Sequence, residues 1–131
     1  MSSEAGKSQP SPAESRGTDT PPPAQVSIET FRQIALRIGV ITAAQDHPNA
    51  DRLLVLTVDV GDGAPRQLVA GIKGSYQASE LIGKRVVVVT NLKPALLRGV
   101  ESQGMVLAAS DGSSLVLISP ERPIPSGSPV K

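Results

Sequence analysis

The 131-residue sequence has no cysteine, no tryptophan and a single histidine, His47. Without thiols it can form neither disulfides nor thiolate zinc sites, and one histidine falls short of the ligand clusters that other metal sites use. No phosphate-cradling Gly-Lys-Ser/Thr loop is present, which excludes P-loop nucleotide hydrolysis. No apolar run approaches the roughly 18 residues of a membrane span, and no signal-peptide pattern opens the chain. We therefore expect a cytoplasmic protein that needs no cofactor.

The opening segment also lacks large side chains. Residues 1–26 are rich in Ser, Pro, Gly and Ala, and no large apolar residue lies between Met1 and Val26. Such a segment cannot bury enough surface to offset the entropy lost on ordering, so we predict a disordered leader. Residues 27–131 then form one domain. The net charge is only +1, but residues 31–131 carry eleven basic and eight acidic side chains, a mildly basic balance.

The domain has the pattern of a small all-β barrel. Apolar and polar residues alternate along the second predicted strand, and Gly39 predicts a bulge or a sharp bend in the first. The predicted elements are a helix from Ser27 to Ile34, a helix from Tyr76 to Leu81, and strands over Ala35–Ala44, Leu53–Val60, Arg66–Ile72, Lys84–Thr90, Met105–Ser110 and, as a small addition, Leu115–Ile118. Three strands, a helix and two strands is the order of the OB-fold, a five-stranded Greek-key barrel; an SH3-like barrel lacks that helix.

The segment from Gly83 to Met105 predicts an anion-binding surface. Its four valines, Val86–Val89, are typical of a strand buried on both faces. No acid occurs between Glu80 and Glu101, whereas four cations do: Lys84, Arg85, Lys93 and Arg98. A buried strand thus leads into a polar loop at the surface, Asn91–Ser102, which carries Lys93 and Arg98 and which we call the cationic loop.

OB-folds bind ligands on strands two and three and on the loops that join strands 1–2 and 4–5. In this sequence those loops are His47–Arg52 and Asn91–Ser102, and both are polar and rich in turn residues. For any single candidate, a role as a solvated surface residue agrees with the sequence as well as contact with a ligand does. The argument for a site is that several candidates are expected at one place. The candidates are cations and hydrogen-bonding side chains of these loops and of neighbouring strand ends: Arg52, Arg66, Lys84, Asn91, Lys93, Arg98 and Ser102.

The scarcity of aromatic residues restricts the kind of nucleic acid. Proteins that bind single strands stack successive bases on aromatic side chains, worth roughly 1–3 kcal/mol per base. The only candidates are Phe31 and Tyr76, and both lie outside the predicted groove. Recognition of a folded RNA through its backbone and shape is therefore favoured.

Catalysis finds little support in the sequence. His47 is the one candidate base, with Asp46, Asp51 and Ser102 as conceivable partners. No Gly-x-Ser-x-Gly elbow accompanies them. The surrounding residues are instead typical of a loop whose polar side chains bond to the backbone. We expect a protein that is not an enzyme.

Several motifs resemble the tRNA-binding domain that occurs in methionyl-tRNA synthetases, in the phenylalanyl β subunit and as free-standing proteins. They are Asn91-Leu92-Lys93-Pro94, Arg98-Gly99 and Ser102-Gln103-Gly104-Met105, and the similarity runs from about Phe31 to Lys131. The resemblance implies an OB-fold that binds tRNA by shape and catalyses no reaction. It implies as binding positions Asn91, Lys93, Arg98, Ser102 and Met105. Ala35 stands where the family usually has Asp, so any hydrogen bond of that carboxylate is missing.

The resemblance also implies a homodimer formed through the N-terminal helix and the C-terminal strands. Ile28, Phe31 and Ile34 would then be buried against a partner subunit; the alternative is that they pack on their own barrel. The resulting hypothesis is a non-catalytic tRNA-binding protein that assists aminoacylation or tRNA handling, as an accessory subunit of a methionyl-tRNA synthetase. Two alternatives stay open: a dimeric chaperone for unfolded polypeptide, and a dimerisation module with vestigial basic residues.

Overall fold

A computed structural model describes residues 24–131, so nearly all of the predicted leader lies outside the described residues. The helices and strands there are α1 (Ile28–Phe31), β1 (Leu36–Asp46), β2 (Leu54–Asp59), β3 (Arg66–Ala70), α2 (Ala78–Leu81), β4 (Arg85–Val89), β5 (Ala95–Leu97), β6 (Val100–Ser102), β7 (Met105–Val106), β8 (Ala108–Ser110), β9 (Leu115–Leu117) and β10 (Pro129–Val130). Neither helix in this range is long and apolar enough to cross a membrane.

The main sheet is an antiparallel, nearly closed barrel in the order β3-β2-β1-β4-β7. Within the barrel the long strand β1 pairs with β4 through Leu36–Val40 and with β2 through Val40–Asp46. β1 can turn from one neighbour to the other because the register with β2 shifts between Ile41 and Ala43. The five-stranded OB-fold barrel predicted from the sequence is confirmed.

Gly39 is not the bulge that its position in β1 predicted, since the register shift lies two residues further on. A Cβ atom at this position would lie 2.5 Å from Val58 Cγ1 and 3.1 Å from Val88 Cγ2. Both valines are fully buried. Gly39 therefore makes room for side chains of β2 and β4 inside the barrel.

The barrel interior is filled by aliphatic side chains. The alternating residues of β2 and its end, Leu54, Leu56, Val58 and Val60, are all completely buried, as the pattern predicted. Each contributes on the order of 1.5–3 kcal/mol through burial. The four valines Val86–Val89 are also buried, which confirms a strand covered on both faces.

The barrel closes where β3 meets residues Glu101–Gln103. Most of the hydrogen bonds there involve side chains instead of a regular backbone ladder, and we call this closure the seam. Ser102 Oγ accepts from the backbone N–H of Val69 at 3.0 Å, and Gln103 Oε1 accepts from that of Gln67 at 3.0 Å. In return Gln67 Nε2 donates to the carbonyl of Glu101 at 2.7 Å, and the N–H of Gln103 donates to the carbonyl of Gln67 at 2.8 Å. Amide and hydroxyl groups thus supply pairing that a regular strand would obtain from its neighbour's backbone.

Several elements differ from the prediction. The fifth strand is split into β7 and β8 at Leu107, and β8 pairs with β9 as a separate hairpin. The C-terminal strand β10, which pairs with the start of β1, was not predicted. Most relevant to the site, the predicted loop Asn91–Ser102 contains a second hairpin, β5–β6.

Candidate nucleic-acid interface

The β5–β6 hairpin holds Arg98 at its turn. Leu97 pairs with Val100, so Arg98 and Gly99 form a two-residue loop, and their φ angles are 54° and 90°. Positive φ at both central residues is typical of the type I′ turn, which matches the twist of a hairpin. The left-handed conformation costs an ordinary residue roughly 1–2 kcal/mol. The exposed guanidinium of Arg98 is therefore held on a tight, strained turn.

His47 connects this hairpin to the loop between β1 and β2. The ring is 5% exposed; Nε2 lies 2.9 Å from the carbonyl oxygen of Leu97, and Nδ1 accepts from the N–H of Asn49 at 2.9 Å. These partners assign the hydrogen to Nε2. Because both ring nitrogens are bonded to backbone groups, His47 fastens the two loops together and is not placed as a general base.

The two fastened loops bring two of the predicted cations to one place. Arg52 and Arg98 line the same shallow depression, together with Asn49, Ala50, Asp51 and Leu53. Nη2 of Arg98 lies 3.4 Å from the carbonyl oxygen of Asn49, a long hydrogen bond across the two loops. The convergence expected between the 1–2 and 4–5 loops is therefore seen for these two arginines.

Lys93 is exposed and lies two residues before the first strand of the β5–β6 hairpin. Its neighbours Leu92 and Pro94 line a second depression with Arg66 and Gln103. Lys93 is thus exposed on the same loop that carries Arg98.

The guanidinium group of Arg66 bonds mainly to other groups of the protein. Its Nη1 donates to the carbonyl of Thr90 and, at 3.3 Å, to that of Gln103, while Nη2 lies 3.4 Å from Asp62 Oδ2. The pKa of Asp62 is lowered, first by the N–H of Ala64 and further by the Arg66 guanidinium. Arg66 therefore ties the start of the cationic loop to β3, and Asp62 offsets its charge.

Asn91 and Ser102, expected to hydrogen-bond a ligand, use their polar atoms inside the protein. Asn91 Oδ1 accepts from the N–H of Ala35 at 2.9 Å, and Asn91 Nδ2 donates to the carbonyl of Gln33 at 2.6 Å. Ser102 is 4% exposed; besides its bond in the seam, it donates to the carbonyl of Gly104 at 2.9 Å. These two residues anchor the ends of the loop, Ser102 from a buried position and Asn91 from an exposed one.

Lys84 lies apart from the two arginines, and Met105 lines a different depression from theirs. Lys84 precedes β4 whereas the cationic loop follows it, a span of about 20 Å at ~3.3 Å per residue. Lys84 lines a depression with Tyr76, Arg85 and Arg122. Met105 is 47% exposed and borders an apolar groove between β3 and β7–β8. Lys84 is thus not brought to the cationic loop.

The glutamines of the seam were missed by sequence reasoning. Gln67 lies at an outward position of β3, and Gln103 is one of several polar residues in the loop. Neither carries a signal that separates a bridging amide from a solvated one.

No group of three or more His, Asp or Glu side chains suited to a metal ion occurs in residues 24–131.

An apolar patch lies beside α1 and β10. Ile28, Phe31 and Ile34 are 55%, 38% and 47% exposed, and they border a groove with Pro129 and Val130 of β10. α1 itself buries none of its residues. Their own barrel therefore covers these side chains only in part. We call Ile28, Phe31 and Ile34 with this groove the apolar patch.

The sequence profile of the tRNA binding domain family matches residues 36–129, most of the described chain. The chain belongs to this tRNA-binding domain family. The resemblance predicted from the motifs is thereby confirmed, and the match spans the barrel, the loop between β1 and β2, the β5–β6 hairpin and the start of β10.

Known relatives of this tRNA-binding domain include a methionine–tRNA ligase from Pyrococcus furiosus, 53% identical over 106 residues. That stretch is 81% of this chain but 14% of the ligase, so the chain spans only a small part of the enzymes it matches.

Solved structures similar to the tRNA-binding domain include a MetRS-related protein from Pyrococcus horikoshii, with a TM-score of 0.77 and 31% identity over 82% of this chain and 99% of that one. Another is the chaperone CsaA from Bacillus anthracis, with a TM-score of 0.75 and 30% identity over 82% of this chain and 100% of that one.

Proposed function

We propose that this domain binds tRNA by shape, catalyses no reaction itself, and assists aminoacylation or tRNA handling. The observation that carries the proposal is the depression shared by Arg52 and Arg98, on two loops that His47 fastens together. Guanidinium groups suit phosphate oxygens because their planar fork donates two hydrogen bonds in one direction. Because His47 holds the two loops together, binding does not have to order the loops themselves.

The proposed contacts form a small set. Arg52, Lys93 and Arg98 contact phosphates, and Met105 lies against a sugar or base at the border of the apolar groove. Arg66, Asn91 and Ser102 act as the framework that holds the loop in shape. Lys84 is left outside the contact surface because it lies at the other end of β4. Such a surface reads the contour of a folded RNA rather than its bases.

The proposed partner in the cell is a methionyl-tRNA synthetase, which the domain would serve as an accessory subunit in the cytoplasm. The support is the similarity to methionine–tRNA ligases, in which the matched region is a small fraction of the enzyme. Binding tRNA at a site remote from the reaction raises the local concentration of substrate at the synthetase.

The proposed assembly is a homodimer joined through the apolar patch. Three large apolar side chains, each 38–55% exposed, lie close together around α1, which has no fully buried residue. Exposed apolar clusters of this kind mark interaction surfaces. Two copies related by a two-fold axis would cover each other's patch.

The test measures tRNA affinity across a series of salt concentrations for the parent and for Arg52→Ala, Lys93→Ala and Arg98→Ala. Each variant should bind more weakly, and the slope of log affinity against log salt should become shallower by about 0.7–0.9 per lost phosphate contact. Arg122→Ala is the matched control, since that side chain is 84% exposed in the depression around Lys84. Unchanged slopes in all three variants would refute the proposed contacts.

A chaperone function is the second candidate, favoured by the similarity to CsaA and by the apolar groove beside Met105. It predicts binding of an unfolded polypeptide that is insensitive to salt and weakened by Met105→Ser. The same salt series separates the candidates. A pure dimerisation module would self-associate and bind neither ligand.

A further inference from the structure

The chain segments 33–35 and 90–91 are joined by four hydrogen bonds. Two involve the Asn91 side chain: Oδ1 accepts from the N–H of Ala35 at 2.9 Å, and Nδ2 donates to the carbonyl of Gln33 at 2.6 Å. Two come from Thr90, whose N–H and Oγ1 donate to the carbonyl of Ala35 at 2.8 and 3.2 Å. We call this set of contacts the link.

The link joins two surfaces with different proposed roles. On one side, Asn91 is the first residue of the cationic loop and stands two positions before Lys93. On the other side, Ile34 lies between the two residues that Asn91 holds, and Phe31 is one helical turn earlier. Because α1 is only four residues long and buries none of them, its position on the barrel depends strongly on this link.

We infer that Asn91 is a positioning residue that couples RNA binding to self-association, rather than a residue that contacts RNA. The inference rests on the proposed function, both for tRNA binding and for pairing through the apolar patch. An RNA that fixes the loop would fix the patch through the same amide. By thermodynamic linkage, self-association would then raise RNA affinity by the factor by which RNA raises self-association.

The test compares Asn91→Ala with Lys93→Ala and Phe31→Ser in two measurements: the dimer dissociation constant by analytical ultracentrifugation, and tRNA affinity over a salt series. Asn91→Ala should weaken both self-association and tRNA binding by roughly threefold to tenfold, the value of one or two hydrogen bonds. Its salt slope should equal that of the parent because no charge is lost. Lys93→Ala should weaken only tRNA binding, with a shallower slope.

Thr90→Val provides a second variant if Asn91→Ala folds poorly. Thr90 is buried, so its hydroxyl cannot contact RNA, and valine keeps its shape while removing one bond of the link. It should shift both measurements in the same direction as Asn91→Ala, by a smaller factor. A loss of tRNA affinity in Asn91→Ala with unchanged self-association would identify a direct RNA contact and overturn the inference.

Two further outcomes separate this inference from the proposed function. A parent protein that binds tRNA but stays monomeric at all concentrations overturns the coupling and leaves tRNA binding intact. A parent that does not bind tRNA overturns the proposed function and the coupling with it.

Discussion

Replacing Arg98 by Asn should change stability and binding in opposite directions. Arg98 occupies the first position of a type I′ turn at a φ of 54°, where asparagine is a preferred residue and arginine is not. An ordinary residue loses roughly 1–2 kcal/mol in this conformation, and asparagine recovers part of it. We expect Arg98→Asn to raise the free energy of unfolding by about 0.5–1 kcal/mol, a gain of a few degrees in Tm for a domain of this size.

The same substitution removes a proposed phosphate contact. The affinity for tRNA should fall, and the slope of log affinity against log salt should become shallower by about 0.7–0.9. Arg98→Lys is the matched control, because it keeps the charge and gains nothing in the turn. Its stability and salt slope should stay close to those of the parent, although affinity will drop somewhat since an ammonium lacks the guanidinium fork.

Thermal unfolding and a tRNA titration at four salt concentrations check both parts. A less stable Arg98→Asn protein would refute the turn argument and show that the long bond from Arg98 to Asn49 matters more than the backbone conformation. An unchanged salt slope would show that Arg98 faces solvent in the complex. Either result identifies which step of the reasoning fails.

Three further predictions concern stability. Gly39→Ala should lower the free energy of unfolding in denaturant by about 1–3 kcal/mol through overpacking, whereas Gly74→Ala, with no atom within 4 Å of the added Cβ, should not. Ser102→Ala should cost about 1–3 kcal/mol, since it leaves the buried N–H of Val69 without a partner, and hydrogen exchange at that amide should speed up. The N–H groups of Ser114 and Ser113 lower the pKa of Asp111 from 3.8 to about 2; its stabilising effect is therefore complete above about pH 4 and lost as the pH falls to 2. Denaturant unfolding should show that acid dependence weakened in Asp111→Asn.

Strong local patterns predicted most of the barrel. Burial of alternate residues in β2 and the run Val86–Val89 follow from side-chain period and β-branching alone. The meeting of the two ligand loops followed from the strand order. Arg52 and Arg98 therefore lie where the sequence indicated, because both stand at fixed positions next to well-predicted strands.

The roles of individual polar residues could not be predicted in the same way. Asn91 and Ser102 are bonded to residues 56 and 33 positions away, and no local pattern tells whether an amide or hydroxyl bonds to the protein or to solvent. The β5–β6 hairpin was missed because its strands have three residues each and its turn carries an arginine where asparagine is usual. Tertiary contacts, not propensity, stabilise these features.

The seam makes closure of the barrel depend on residue identity. A backbone ladder tolerates nearly any side chain, but here the amides of Gln67 and Gln103 and the hydroxyl of Ser102 take its place. A mutation at one of these three residues would leave part of the β3 edge unpaired, and an unpaired edge is a template that other chains can extend. Three polar side chains, together with one main-chain bond between Gln103 and Gln67, thus help to protect the molecule from aggregation.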